Sequence, residues 1–315
     1  SFNTDDGYRT TRANPTDATI ITLQKGQTYV VDRLSVDSTG ATALATGVVI
    51  LGSKTLQVEY FYGQAGSNYN TRAVSAYPRG FWSNEYYAPA GSSVAGAQTE
   101  ITLYNPNASA ITINWETSAA SGSFVIAAGA TSYFRAATGT NIPAGSGVYL
   151  RGTGTFWGIS DYETNAANYD WGYSLVPTYL LSDDQTLAWA PGNSPTLACD
   201  QPNARSTGIY LTPAQDNTTI YIDKNGDGAP DTDPSIEVIR GTTPVAPTGA
   251  GYKVNRLESI YITGSNSGNL ATSPCDLTGA RIYATGPFSM AFGENDDRAS
   301  AGGGLDLGYT VLPSP

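Results

Sequence analysis

The stretch DWGYSLVP at residues 170–177 returns as DLGYTVLP at residues 306–313. Asp, Gly, Tyr and Pro coincide, and the remaining positions exchange like for like. An internal repeat of this kind sets the architecture before any single element is assigned. The agreement extends upstream, where GVYLRGTGTFWGISDYE (147–163) lies against ARIYATGPFSMAFGEN (280–295). Each reads as an alternating strand, a Thr-Gly turn and a second alternating strand ending in acidic residues, which predicts a hairpin. A third copy, ALATGVVILGSKTLQVEYFYGQ (43–64), has the same shape and runs on to SAYP, ending at Pro78. Its preceding segment TYVVDRLSV (28–36) matches GYKVNRLES (251–259).

The front halves of two copies also correspond. TEITLYNPNASAITINWE (99–116) parallels TGIYLTPAQDNTTIYIDKN (207–225). Apolar residues alternate in both, at Ile101, Leu103, Ile111 and Ile113 and at Ile209, Leu211, Ile220 and Ile222. The intervening turns draw on Asn, Pro, Ala and Ser or Thr, as turn chemistry requires. Three modules follow: residues 1–78, 79–177 and 178–315. Strands are short, turns recur every ~8–12 residues, and no segment keeps a helical period of about 3.6. The expected fold is all-β, as tandem antiparallel β-sandwich modules of immunoglobulin-like or jelly-roll-like type. Module 1 is the short one and lacks a counterpart of the front strands. Either it is naturally short or truncated, or a partner chain completes it by strand addition near residues 1–30.

Composition narrows the function. The 315 residues are 40% apolar but only 14% charged, with 21 Tyr and a net charge of −11. β-Branched and aromatic side chains suit a pleated surface. An anionic chain lacks the cationic face that nucleic acid requires. No apolar run approaches the ~18 residues of a membrane-spanning helix. The first residue is Ser1 and no leader-like run follows it, an expectation of prior processing or of a cut fragment. Histidine is absent, which removes Ser-His-Asp and Cys-His catalysis and His-ligated zinc. Cys199 and Cys275 sit in similar settings and form no CxxC pair, so one disulfide between them is expected, with two buried thiols as the alternative.

The acidic stretch DKNGDGAPDTD (223–233) carries oxygen donors at Asp223, Asn225 and Asp227, with Gly at its sixth position. That is the opening of a calcium loop, in which alternate side chains turn inward toward a hard cation that takes six to eight oxygens. Ala229 would add its carbonyl, and Asp231 and Asp233 further carboxylates. The twelfth position is Pro234 rather than Glu, and the loop joins two strands, so a structural Ca²⁺ clamp is expected rather than a helix-loop-helix sensor. The loop is similar to the calcium loops of extracellular repeat proteins, including thrombospondin type-3 repeats. A solvated Asx-rich turn is the alternative. Module 2 has ETSAASGS at the same place, so the loop elaborates one turn and is not common to the modules.

Three further groups are candidates. Asp161 with Glu163, and Glu294 with Asp296 and Asp297, are the acidic groups at the ends of the repeated strands. A glycosidase pair would need only two such carboxylates, but a polar loop accounts for them as well. Trp82, Tyr86 and Tyr87 form the densest aromatic cluster (FWSNEYY, 81–87) and offer a stacking surface for glycans. In a sandwich, aromatics more often serve the core. Asn107 and Asn217 open sequons at matching turns and are candidate glycosylation sites.

The ending TGPFSMAFGENDD…LDLGYTVLP, together with the D-x-N-G-D-G loop, resembles the repeats of large secreted and bacterial cell-surface proteins. Those repeats carry the β-domain named after the IgG-Fc-binding protein. The resemblance covers module 3 best, module 2 moderately and the second half of module 1. It implies extracellular β-sandwich modules with structural, adhesive or matrix roles, and it supplies no catalytic residues. The expected function is therefore an extracellular or cell-surface structural protein and not an enzyme. It would pack with copies of itself or with other surface proteins, as a filament or surface-layer subunit. The alternative is a carbohydrate-binding module of a secreted protein.

Overall fold

The computed structural model describes residues 2–3, 18–19, 22–28, 49–62, 72–89, 97–135, 142–164, 171–188, 190, 206–232, 236–264, 277–295 and 309–310. Among them every regular element is a β-strand or a short 3-10 turn, and the sheets are antiparallel. Module 1 contributes β1 (Phe2–Asn3), β2 (Ala18–Thr19), β3 (Val49–Ile50), β4 (Glu59–Tyr62) and β5 (Arg72–Ser75). β1 lies between β2 and β3, and β4 pairs with β5.

Module 2 holds β6 (Ser83–Ala88), β7 (Ala97–Tyr104), β8 (Ile111–Thr117), β9 (Ser121–Ile126), β10 (Thr131–Arg135), β11 (Val148–Thr164), β12 (Trp171–Ser174) and β13 (Val176–Pro177). At 17 residues β11 is about three times an ordinary strand. Its first half, Val148–Gly152, pairs with β8 on one edge and with β6 on the other. Its second half, Trp157–Thr164, pairs with β7, and β12 joins the opposite edge at Ile159–Tyr162. β9 extends the first sheet beyond β8, and β10 extends the second beyond β7. Two sheets therefore share one bent strand.

This corrects the hairpin expected over 147–163. The Thr-Gly step is a bend within one strand, marked by a register shift between Arg151 and Phe156. A Cβ on Gly152 would stand 2.7 Å from the Gly154 carbonyl oxygen and 2.8 Å from the Phe156 ring. The backbone can fold over Phe156, which is fully buried, only because glycine leaves that space. The front pair 99–116 is corrected too. β7 and β8 do not pair with each other. The turn between them carries the chain from one sheet to the other.

Module 3 repeats the plan with β14 (Ser182–Thr186), β15 (Ser206–Pro213), β16 (Thr218–Asp223), β17 (Ile236–Arg240), β18 (Thr243–Pro244), β19 (Tyr252–Val254), β20 (Ile260–Gly264), β21 (Arg281–Asn295) and β22 (Tyr309–Thr310). β21 is the bent strand here, again one element where 280–295 had predicted a hairpin. Its first half pairs with β14 and β16, and its second half with β15 and β22. The addition is β17–β18, inserted after the acidic loop, with β17 capping the edge of β20.

The end strands share one register. Glu59 faces Ser75, Ile159 faces Ser174 and Ala291 faces Thr310. Pro78 (φ −54, ψ 141) and Pro177 (φ −56, ψ 141) adopt one conformation, and each leads into a 3-10 turn, Arg79–Phe81 and Thr178–Leu180. Strands β5, β12 and β22 touch one another pairwise, so the modules close around a common centre.

Modules 2 and 3 share a core. Trp171 and Tyr173 of β12 are buried with Tyr210, Tyr261 and Ala291 of module 3, and the Trp171 and Tyr210 rings lie 5.5 Å apart. A Cβ on Gly293 would come within 2.4 Å of the Trp171 indole, so glycine is needed where β21 passes beneath that ring. At the other end of the interface, Gly147 N–H donates to the Leu257 carbonyl at 2.8 Å and Ser259 N–H to that of Gly145 at 2.7 Å. A second cluster, built on Leu211, Ile220, Ile262, Phe288 and Phe292, fills module 3 itself.

Candidate metal centre

The acidic loop starts where β16 runs out of alternating apolar residues. Asp223, the last strand residue, is only 2% exposed. Its two carboxylate oxygens accept Gly226 N–H at 2.7 Å and Gly228 N–H at 2.9 Å. Gly226 (φ 75) and Gly228 (φ 87) occupy the left-handed region that side-chain-bearing residues avoid. Asn225 Oδ1 accepts Asp227 N–H at 2.8 Å, and Asp227 Oδ1 accepts Ala229 N–H at 2.8 Å. Asp231 closes the loop, accepting Lys224 N–H at 2.7 Å and donating its own N–H to the Ile222 carbonyl. These hydrogen bonds fold the loop as a run of Asx turns.

The donor chemistry suits calcium, since carboxylates and an amide oxygen gather on one tight turn. The geometry is less concentrated. Among the described residues, no three carboxylates converge closely enough to hold a metal ion, and Asp233 lies outside the described residues. Opposite Asp223 in the ladder stands Arg281, whose guanidinium is committed elsewhere, with Nε donating to Asp184 Oδ1 at 2.9 Å. That hydrogen bond holds the Asp184 carboxyl below the usual carboxylate value. A carboxylate held low in the fold stabilises it above its unfolded value, near pH 3.8, and that contribution is lost as pH falls through the folded value. Asp184→Asn is therefore expected to lower stability across the neutral region and leave the acid end little changed, which flattens the acid limb of a stability-against-pH curve. Urea melts of both proteins across that range measure it.

The other candidates fare differently. Tyr86 is fully buried and Tyr87 is 6% exposed, which corrects their reading as a glycan-stacking surface. Tyr86 Oη donates to the Phe156 carbonyl at 2.6 Å and accepts Ser83 N–H at 2.8 Å, so it braces the bend of β11. Burial pushes its phenol well above the ordinary tyrosine range. Trp82 is half-buried, stacked 5.9 Å from Trp157 and edge-on to Tyr104, with Nε1 donating to the Tyr77 carbonyl. The Asn107 amide nitrogen donates to Asn105 Oδ1 and to the Thr155 carbonyl, both at 2.7 Å, so the atom a glycan would need is held inside the turn. Asn217 is exposed, with φ 55. Asp161 is 9% exposed. The side chains of Glu163 and Glu294 lie outside the described residues, as do Asp296, Asp297, Cys199 and Cys275.

Two polar nodes escaped sequence reasoning. Arg256 reaches across from module 3, bonding Glu116 at 2.7 Å and Tyr87 Oη at 2.8 Å, with its guanidinium 4.9 Å from the Tyr149 ring centre. Burial, with Glu85 beside it, pushes the Tyr149 phenol up to about 12. Asn105, fully buried, ties the β7–β8 turn to the β9–β10 turn. Only the long-range fold brings these partners together, and no local spacing announces them. No family model, curated protein or solved structure matches the chain. Among the described residues, no helix is long and apolar enough to cross a membrane.

Proposed function

We propose that this chain is an extracellular or cell-surface structural protein, non-enzymatic, whose β-modules assemble with copies of itself or with other surface proteins. The observation behind this reading is the fusion of repeated units. One strand plan recurs with one register, and its copies are joined by buried aromatic rings instead of flexible linkers. Such a body suits a rigid building block, because neighbouring modules cannot turn independently. Negative-stain electron microscopy and light scattering, with and without calcium, test it. Ordered polymers or lattices are the expected result, and strict monomers in both conditions would overturn it.

In the same reading Ca²⁺ has a structural role at the acidic loop, held by Asp223, Asn225, Asp227, the Ala229 carbonyl, Asp231 and Asp233. The ion would offset the clustered negative charge and stiffen the entry into β17. Calcium titration should release or absorb heat, and amide exchange across residues 222–240 should quicken on chelation while that of β7–β10 stays constant. No heat and unchanged exchange would leave the loop as a self-capped Asx turn.

A further inference from the structure

Strand β9 is the outermost strand of its sheet, and among the described residues it pairs only with β8. The turn into it is closed by Thr117 N–H donating to the Ala120 carbonyl at 2.8 Å, which makes that pair hydrogen-bonded. Antiparallel alternation then directs the backbone groups of Gly122, Phe124 and Ile126 toward β8 and those of Ser121, Ser123 and Val125 outward. Thr112 N–H, opposite Val125, donates to Thr153 Oγ1 at 3.0 Å on the far side of β8, as that alternation requires. Ser121 and Ser123 are exposed, and Val125 is 63% exposed.

Proteins protect such edges with charge, proline, bulges or shortness. The corresponding strand of module 3, β19, is three residues long and bears an exposed Lys253. β9 has six residues, SGSFVI, with neither charge nor proline. The whole stretch 117–134 contains no Asp, Glu, Lys or Arg, in a chain of net charge −11. The nearest acid, Glu116, is neutralised by Arg256 at 2.7 Å. Two copies that repel elsewhere can approach here without like charges meeting.

We propose that the β9 edge is an interface between two copies of this chain, joined antiparallel about a two-fold axis at Ser123. The outward residues are symmetric about that position, so Ser121 of one copy meets Val125 of the other and Ser123 meets its own counterpart. Each of the three pairs exchanges both backbone hydrogen bonds, and an isologous contact closes on itself. The result is one sheet running through both molecules. The inference rests on the self-assembly reading above and names one of its contacts.

Sedimentation velocity and electron microscopy of the intact chain, wild type beside Ser123→Pro and Ser123→Lys, decide it. Proline is tolerated here because the lost N–H faces away from β8. Lysine keeps the fold and sets two like charges against each other at the axis. The expected result is two-fold association weakened about tenfold or more in both variants, with unchanged circular dichroism. Wild-type polymers that both variants form equally well would overturn the β9 contact and spare the assembly reading. A wild-type dimer that the variants dissociate, with no larger species, would support the contact and overturn the polymer. Monomers throughout would overturn both. If proline disrupts the fold, the lysine variant alone carries the decision.

Discussion

Replacing Trp171 with alanine is expected to lower stability by about 3–5 kcal/mol and to uncouple the unfolding of modules 2 and 3. The indole is 3% exposed and lies between Tyr173, at 5.8 Å, and Tyr210, at 5.5 Å. Gly293 has no side chain beneath the ring, so nothing at that position can move in to fill the space. A cavity that cannot collapse lies at the costly end of such substitutions. Because the ring joins two modules, its loss should also split one calorimetric transition into two. A single transition with unchanged midpoint would show that the interface contributes little.

The second large effect is expected at Asn105. Its amide nitrogen lies 2.9 Å from the Ser109 carbonyl, 3.1 Å from that of Ile126 and 2.9 Å from that of Ala127. Its Oδ1 accepts Asn107 N–H at 2.9 Å. Two amide hydrogens serve three carbonyls, so one of them is shared. Alanine would strand several buried groups at once, and each stranded group costs about 1–3 kcal/mol. Relaxation recovers part of this, leaving an expected loss of about 2–4 kcal/mol. Asn105→Asp keeps the shape but removes the donors and turns a carboxylate toward carbonyl oxygens, so it should be at least as damaging. Chemical denaturation of both variants measures this. A loss below about 1 kcal/mol for alanine would mean that water replaces the amide.

The all-β character was legible in the sequence because alternation and turn residues are local signals. Ile111 and Ile113 alternate with polar neighbours, and Ile220 and Ile222 do the same. Strand partners were not legible. TGT at 153–155 has turn composition, yet the chain bends there without reversing, since glycine permits a bend as readily as a reversal. Whether it reverses depends on β6, β7 and β8 arriving from elsewhere. The aromatic cluster at 81–87 misled for a related reason. Alternation cannot distinguish a ring facing solvent from one facing a second sheet, and Tyr86 faces the bend of β11. The acidic loop was legible as a turn from Gly226 and Gly228, while the orientation of its carboxylates is set by backbone N–H groups that sequence does not reveal.

The bent strand also governs how each module is made. β11 emerges from the ribosome after β6 to β10, and β21 after β14 to β20. Until it appears, among the described residues β7 has no partner but β10, and β8 has none but β9. The two small pairs therefore await a single late element that fastens both at once. Folding of each module should be held back until that segment clears the exit tunnel, and then proceed in one step. A chain stalled before residue 148 would expose two unfinished sheets, each an open template for a neighbouring nascent copy.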